Sequence, residues 1–74
     1  MQIGMLWLDD DQKRPLEEKV ERAAAYYQDK YGQTPTLCFV NAKAVAERTT
    51  IGRIDVRPAK HVMPSHFWLG VDAV

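Results

Sequence analysis

Residues 15–31 read PLEEKVERAAAYYQDKY. Leu16, Val20, Ala23, Ala24, Tyr27 and Tyr31 recur at helical spacing and form one apolar stripe, while Glu17, Glu18, Glu21, Arg22, Gln28 and Asp29 fall on the other side. Pro15 suits the first turn, where its missing N–H costs nothing, and Gly32 suits the left-handed position just past the end. Glu18 and Arg22 are spaced as a favourable i,i+4 pair. The spacing predicts one amphipathic helix, and such a helix needs an apolar surface to lie on.

The flanking apolar runs supply it. Residues 2–8 read as a strand, with Ile3, Met5 and Trp7 on one face and Gly4, Leu6 and Leu8 on the other. Apolar side chains on both faces predict a central strand. Residues 36–40, Thr-Leu-Cys-Phe-Val, read as a second buried strand. Strand, helix and strand joined by short connections predict a β-α-β unit with parallel strands and a right-handed crossover. Asn41 is placed to cap a short helix over residues 42–48, and residues 49–52 read as a break. Residues 53–57 alternate strictly, with Ile54 and Val56 opposite Arg53, Asp55 and Arg57, and Pro58 ends or edges that strand. A basic loop follows over 59–65, and residues 66–71 alternate again. The last two strands are expected to pair as an antiparallel hairpin. The predicted fold is a single small α/β domain over residues 1–74, β-α-β-(short α)-β-β. It has a mixed sheet of about four strands and the long helix on one face.

Composition narrows the function classes. The chain has 74 residues, ten basic and ten acidic side chains, and one cysteine. A core this small buries only ~60% of the unfolded surface. Balanced charge lacks the strong positive field of a general nucleic-acid binder. The charge is mildly polarised: residues 1–31 hold seven acids and five bases, residues 32–74 three acids and five bases. A lone cysteine rules out an internal disulfide and fits a reducing cytosol. No apolar run approaches the ~20 residues of a membrane span, so no membrane partner is expected. The run at residues 4–8 is too short, and too close to three aspartates, for a signal peptide.

Three groups of residues could carry chemistry. Asp9, Asp10 and Asp11 stand at the end of the first strand, where Mg²⁺ could bind through oxygen. Their plainer role is to favour the positive end of the helix that follows. Cys38 with His61 and His66 contains zinc-ligand residue types, but in no zinc spacing, and a cysteine inside an apolar strand is most simply a small core residue. The glycines match no phosphate-binding loop, and no cofactor motif or catalytic constellation is readable, which weighs against an enzyme. The third group is Arg53, Arg57, Lys60, His61, His66 and Trp68. With the last strands paired, Arg53, Arg57 and Trp68 share a sheet face, and Trp7 is expected to join them. Guanidinium groups beside tryptophan suit a protein interface, base stacking, or a plain solvated face. One helix covers only one side of such a sheet. The expectation is therefore a cytoplasmic interaction module that forms a homodimer through the face bearing Trp68. The alternative is an accessory nucleic-acid- or nucleotide-binding domain using Arg53, Arg57, Lys60 and His61.

Overall fold

A computed structural model describes residues 4–72. The elements in chain order are β1 (Gly4–Leu8), α1 (Leu16–Tyr31), β2 (Leu37–Asn41), β3 (Thr49–Ile51), β4 (Ile54–Ala59) and β5 (His66–Gly70). They form one helix on a mixed five-stranded sheet of order β1-β5-β2-β4-β3. The architecture is the expected one with an extra strand.

The helix begins and ends where its sequence signals lie. Pro15 occupies the N-cap with extended backbone, and Gly32 closes the C-terminus at φ 75°, its N–H donating to the Gln28 carbonyl. The buried stripe is Val20, Ala23 and Tyr27, with Leu16, Ala24 and Tyr31 partly buried beside it. These pack on Met5, Cys38, Val40, Ile54, Val56, Phe67 and Leu69, the helix-facing side chains of four strands. Burying each of the larger ones is worth roughly 1.5–3 kcal/mol.

β5 pairs antiparallel with β1 on one side and with β2 on the other. Consequently β1 and β2 run parallel, as expected, but with the last strand inserted between them. β2 pairs parallel with β4, and β3 closes the sheet antiparallel to β4.

Several expectations are corrected. The last two strands are not a hairpin, because β2 lies between β4 and β5. The hairpin is instead β3–β4, turning at Gly52 and Arg53, where the break over 49–52 was expected. Gly52 has φ 63°, which a two-residue hairpin turn needs and glycine supplies without strain. β1 is an edge strand and not a central one. Residues 2 and 3 of the expected first strand lie outside the described residues.

No helix forms over residues 42–48. The Asn41 carboxamide oxygen accepts from Lys43 N–H and the Asn41 carbonyl accepts from Ala44 N–H, a single turn. The Asn41 Nδ2 is drawn away to the Val62 carbonyl at 2.8 Å. Seven residues cannot meet the cost of helix nucleation alone.

Pro58 falls inside β4 and not at its end. Asp55 N–H donates to the Thr36 carbonyl, so residues 55, 57 and 59 point their backbone groups toward β2. Pro58 points the other way, beyond Thr49, the first residue of β3, where no N–H is required.

Candidate interaction surface

Among the described residues, the sheet face away from the helix carries no helix or second sheet, only the β4–β5 connection. Strand register sorts its side chains into rows. One row runs Leu6, Trp68, Phe39, Arg57 across β1, β5, β2 and β4. The next holds Leu8 and His66, and the row on the other side holds Gly4, Gly70, Leu37 and Asp55. Arg57 and Trp68 therefore do share a face, two strands apart across Phe39.

The β4–β5 connection folds back over this face. Val62 is buried, its carbonyl held by Asn41, and the His61 ring lies 6.4 Å from that of Phe39. Ser65 takes a positive φ of 64° to bring the chain into β5. His66 Nδ1–H donates to the Pro64 carbonyl at 2.8 Å. Between the loop and β1 runs a groove of about 440 Å³, lined by Leu6, His61, Val62, Met63, His66 and Trp68. Its walls are mostly apolar. A second, smaller cleft of about 200 Å³ opens on the helix side, between Leu16, Lys19, Asn41 and Ser65.

Exposure is concentrated in the same region. The large exposed hydrophobic residues among those described are Leu6 (57%), Leu8 (57%), Tyr26 (57%), Met63 (65%) and Trp68 (36%). Leu6 and Leu8 belong to β1, Trp68 pairs with Leu6, and Met63 lines the groove with it. Tyr26 stacks on Trp7 of β1, centroids 4.4 Å apart. Scattered single hydrophobic residues are ordinary on a surface, but a contiguous group marks a contact site.

The charged end of the face is self-contained. Arg57 Nη2 and Arg48 Nη2 each lie 2.8 Å from the same Asp55 oxygen. The Arg57 hydrogen bond, helped by Arg48, holds the Asp55 carboxyl below its ordinary value against a smaller opposing effect of burial. The same bond raises Arg57. Both guanidinium groups thus already have an anion.

The remaining sequence candidates are dispersed. Trp7 lies on the helix side, because it stands opposite Phe67 in the register, and not beside Trp68 as expected. Arg53 sits in the β3–β4 turn near Glu21 and Gln28, on the helix side of the sheet and away from Arg57. Lys60 is exposed in the β4–β5 loop.

Asp9 is buried and tied to Arg14 at 3.1 Å and to the Asp11 N–H. Burial pushes its carboxyl up, but the Asp11 N–H and the Arg14 guanidinium outweigh this and hold it low. Asp11 accepts from Lys13 N–H, and Arg14 reaches Glu18 at 3.8 Å. These aspartates brace the turn before α1 but do not cap it by side chain. Among the described residues, no group of three or more His, Cys, Asp or Glu is arranged to hold a metal ion.

Cys38 is fully buried under the helix, and burial pushes its thiol up to about 12. His61 and His66 stand on the opposite side of the sheet, so neither can serve the thiol as a base or share a metal with it.

The sequence does not single out Leu6, Leu8, the half-buried Phe39 or Met63 as residues of this surface. The signal for the two leucines was the apolar character of both faces of β1, read as burial when it reflects an exposed edge.

Among the described residues no helix is long and apolar enough to cross a membrane. Comparison with protein-family models, with curated proteins and with solved structures finds no match for this chain.

Proposed function

We propose that this chain is a small interaction module that associates with a second copy of itself through the apolar end of its open sheet face, with Trp68 at the centre. The observation that carries this reading is the gathering of exposed Leu6, Met63 and Trp68 along one groove, with exposed Leu8 next to Leu6's row on β1, on a face that only the β4–β5 connection crosses among the described residues. Small domains commonly complete a thin core by oligomerising. A self-complementary patch favours a two-fold arrangement. The free, buried thiol of Cys38 supports action in a reducing compartment such as the cytoplasm.

A nucleic-acid role for Arg53, Arg57, Lys60 and His61 is less well supported. Arg57 is engaged by Asp55, Arg53 lies elsewhere, and the formal net charge is zero. The test is solution mass by light scattering over a range of concentration. The wild type should approach twice its 8.5 kDa as concentration rises, and Trp68→Ala should stay near the monomer value. A wild type that is monomeric throughout would remove the reading.

A further inference from the structure

Building on that self-association, we propose that its joint is the free edge of β1. This strand would pair antiparallel with β1 of a second copy, about a two-fold axis at Leu6, and join two five-stranded sheets into one of ten strands.

The backbone sets the phase. Asp9 N–H donates to the Ser65 carbonyl at 2.9 Å, and Asp9 stands opposite Ser65 when the β1–β5 register is continued. Opposite residues in an antiparallel ladder alternate between bonded and non-bonded pairs. Asp9, Trp7 and Met5 therefore spend their backbone groups on β5. Those of Leu8, Leu6 and Gly4 point off the sheet.

An exposed edge is usually blunted by shortness, charge, proline or a bulge. The other edge follows that rule: β3 has three residues and carries Arg48 immediately before it. β1 has none of these devices. It is five residues long, GMLWL, with an unbroken register from Gly4↔Gly70 to Leu8↔His66. Apolar surface also flanks it on both sides. Leu6 and Leu8 lie on the open face and Tyr26, stacked on Trp7, on the helix face.

Charge selects the direction. Asp9, Asp10 and Asp11 follow the strand directly. A parallel joint would set the two acidic runs side by side, whereas an antiparallel one sends them to opposite ends. The outward residues then select the register. Centring on Leu6 places Leu6 against Leu6 and Leu8 against Gly4, so every outward N–H and C=O of the strand finds a partner. Trp68 enters here. Its indole lies over Gly4, so Leu8 of each copy falls against the Trp68 ring of the other. A joint roughly 17 Å long, at ~3.4 Å per residue, is small for a specific interface. A reversible, concentration-dependent dimer follows.

Hydrogen exchange on the wild-type chain at low and high concentration tests this. Met5 and Trp7 amides should be protected at both. Leu6 and Leu8 amides should exchange freely when dilute and roughly tenfold more slowly once nine in ten chains are paired. Leu6→Pro, which removes an outward N–H only, and Leu8→Lys should both keep the folded spectrum and remain monomeric by light scattering. A dimer whose Leu6 and Leu8 amides stay unprotected would overturn the edge joint and leave association through the sheet face standing. A wild type monomeric at every concentration would overturn both.

Discussion

The indole of Trp68 lies directly over Gly4, so that a methyl group on Gly4 would stand 2.7 Å from Cζ2 and 2.9 Å from Cε2 of the ring. The two residues sit on adjacent strands of the open face, and only a glycine leaves room for the ring there. Gly4→Ala must displace the indole, because the ring is the movable partner and the strand backbone is not. The expected cost is about 1–2 kcal/mol, with a red-shifted tryptophan emission as Trp68 swings into solvent. Crossing the variant with Trp68→Phe separates this signal from that of Trp7. Unchanged emission and unchanged Tm would mean that the ring does not rest on Gly4 in solution.

Val20 is fully buried and Glu21, its neighbour, is exposed. Val20→Asp places a carboxylate without a partner in the buried core cluster that also holds Val40, Val56 and Leu69, and should cost more than ~3 kcal/mol or prevent folding. Glu21→Ala should stay within about 0.5 kcal/mol of the wild type. Thermal melts of the two variants check the helix orientation directly.

The helix and the faces of its packing residues are legible in the sequence because 3.6-residue periodicity is a local property. Capping by Pro15 and Gly32 is equally local. Strand order is another matter. Nothing in the alternation of Phe67, Leu69 or Val56 says that β2 lies between β4 and β5, because pairing partners are distant in sequence and chosen by the whole core. β1 misled for a related reason. Leucines at 6 and 8 and Met5 and Trp7 look the same whether the second face is buried by protein or left open at an edge. Residues 49–51 were hidden by brevity, since three residues carry no period. Of the candidate surface, Trp68, His61 and His66 were found and do meet. Arg57 was found, and its partner Asp55 lies two residues away on the same strand; that Arg48 shares this carboxylate depends on the β3–β4 hairpin, which the sequence concealed.

Cys38 offers a test of burial without any mutation. Its thiol is enclosed beneath α1 and pushed up to about 12, so thiolate is scarce at neutral pH and reagent access requires opening of the sheet–helix core. Labelling of the native chain should be slow at pH 8 and accelerate strongly in denaturant. Rapid stoichiometric labelling of the native chain would place the thiol at the surface.

Asp9 predicts an acid-sensitive step. Its carboxyl titrates below the ordinary value when folded, despite burial, because of the Asp11 N–H and Arg14. A depressed folded value means the stabilisation is complete above the unfolded value of ~4 and is lost as pH falls through the folded one. Tm should therefore hold from neutral pH down to about 4 and then decline. Asp9→Asn should lower Tm at neutral pH and flatten the decline below about 4, the two curves converging at the acid end. Parallel curves would assign the acid sensitivity to other carboxylates, with Asp55 the first to examine.

Asp55 decides what the arginines of the open face are free to do. It binds Arg48 and Arg57 together at 2.8 Å, and an added phosphate would have to displace a carboxylate already in contact with both. The wild type should accordingly show no steep, salt-dependent binding to single-stranded DNA or RNA. Asp55→Asn removes the internal anion, raises the net charge by one, and releases both guanidinium groups, Arg57 standing opposite Phe39 in the register. Weak oligonucleotide binding should then appear, falling with salt at a log–log slope near −1.4, as about two phosphate contacts on a single strand require. Fluorescence anisotropy of a labelled oligonucleotide at several salt concentrations measures both. Steep binding by the wild type itself would show that nucleic acid outcompetes Asp55, and would restore the nucleic-acid reading of Arg57 over the interaction-module one.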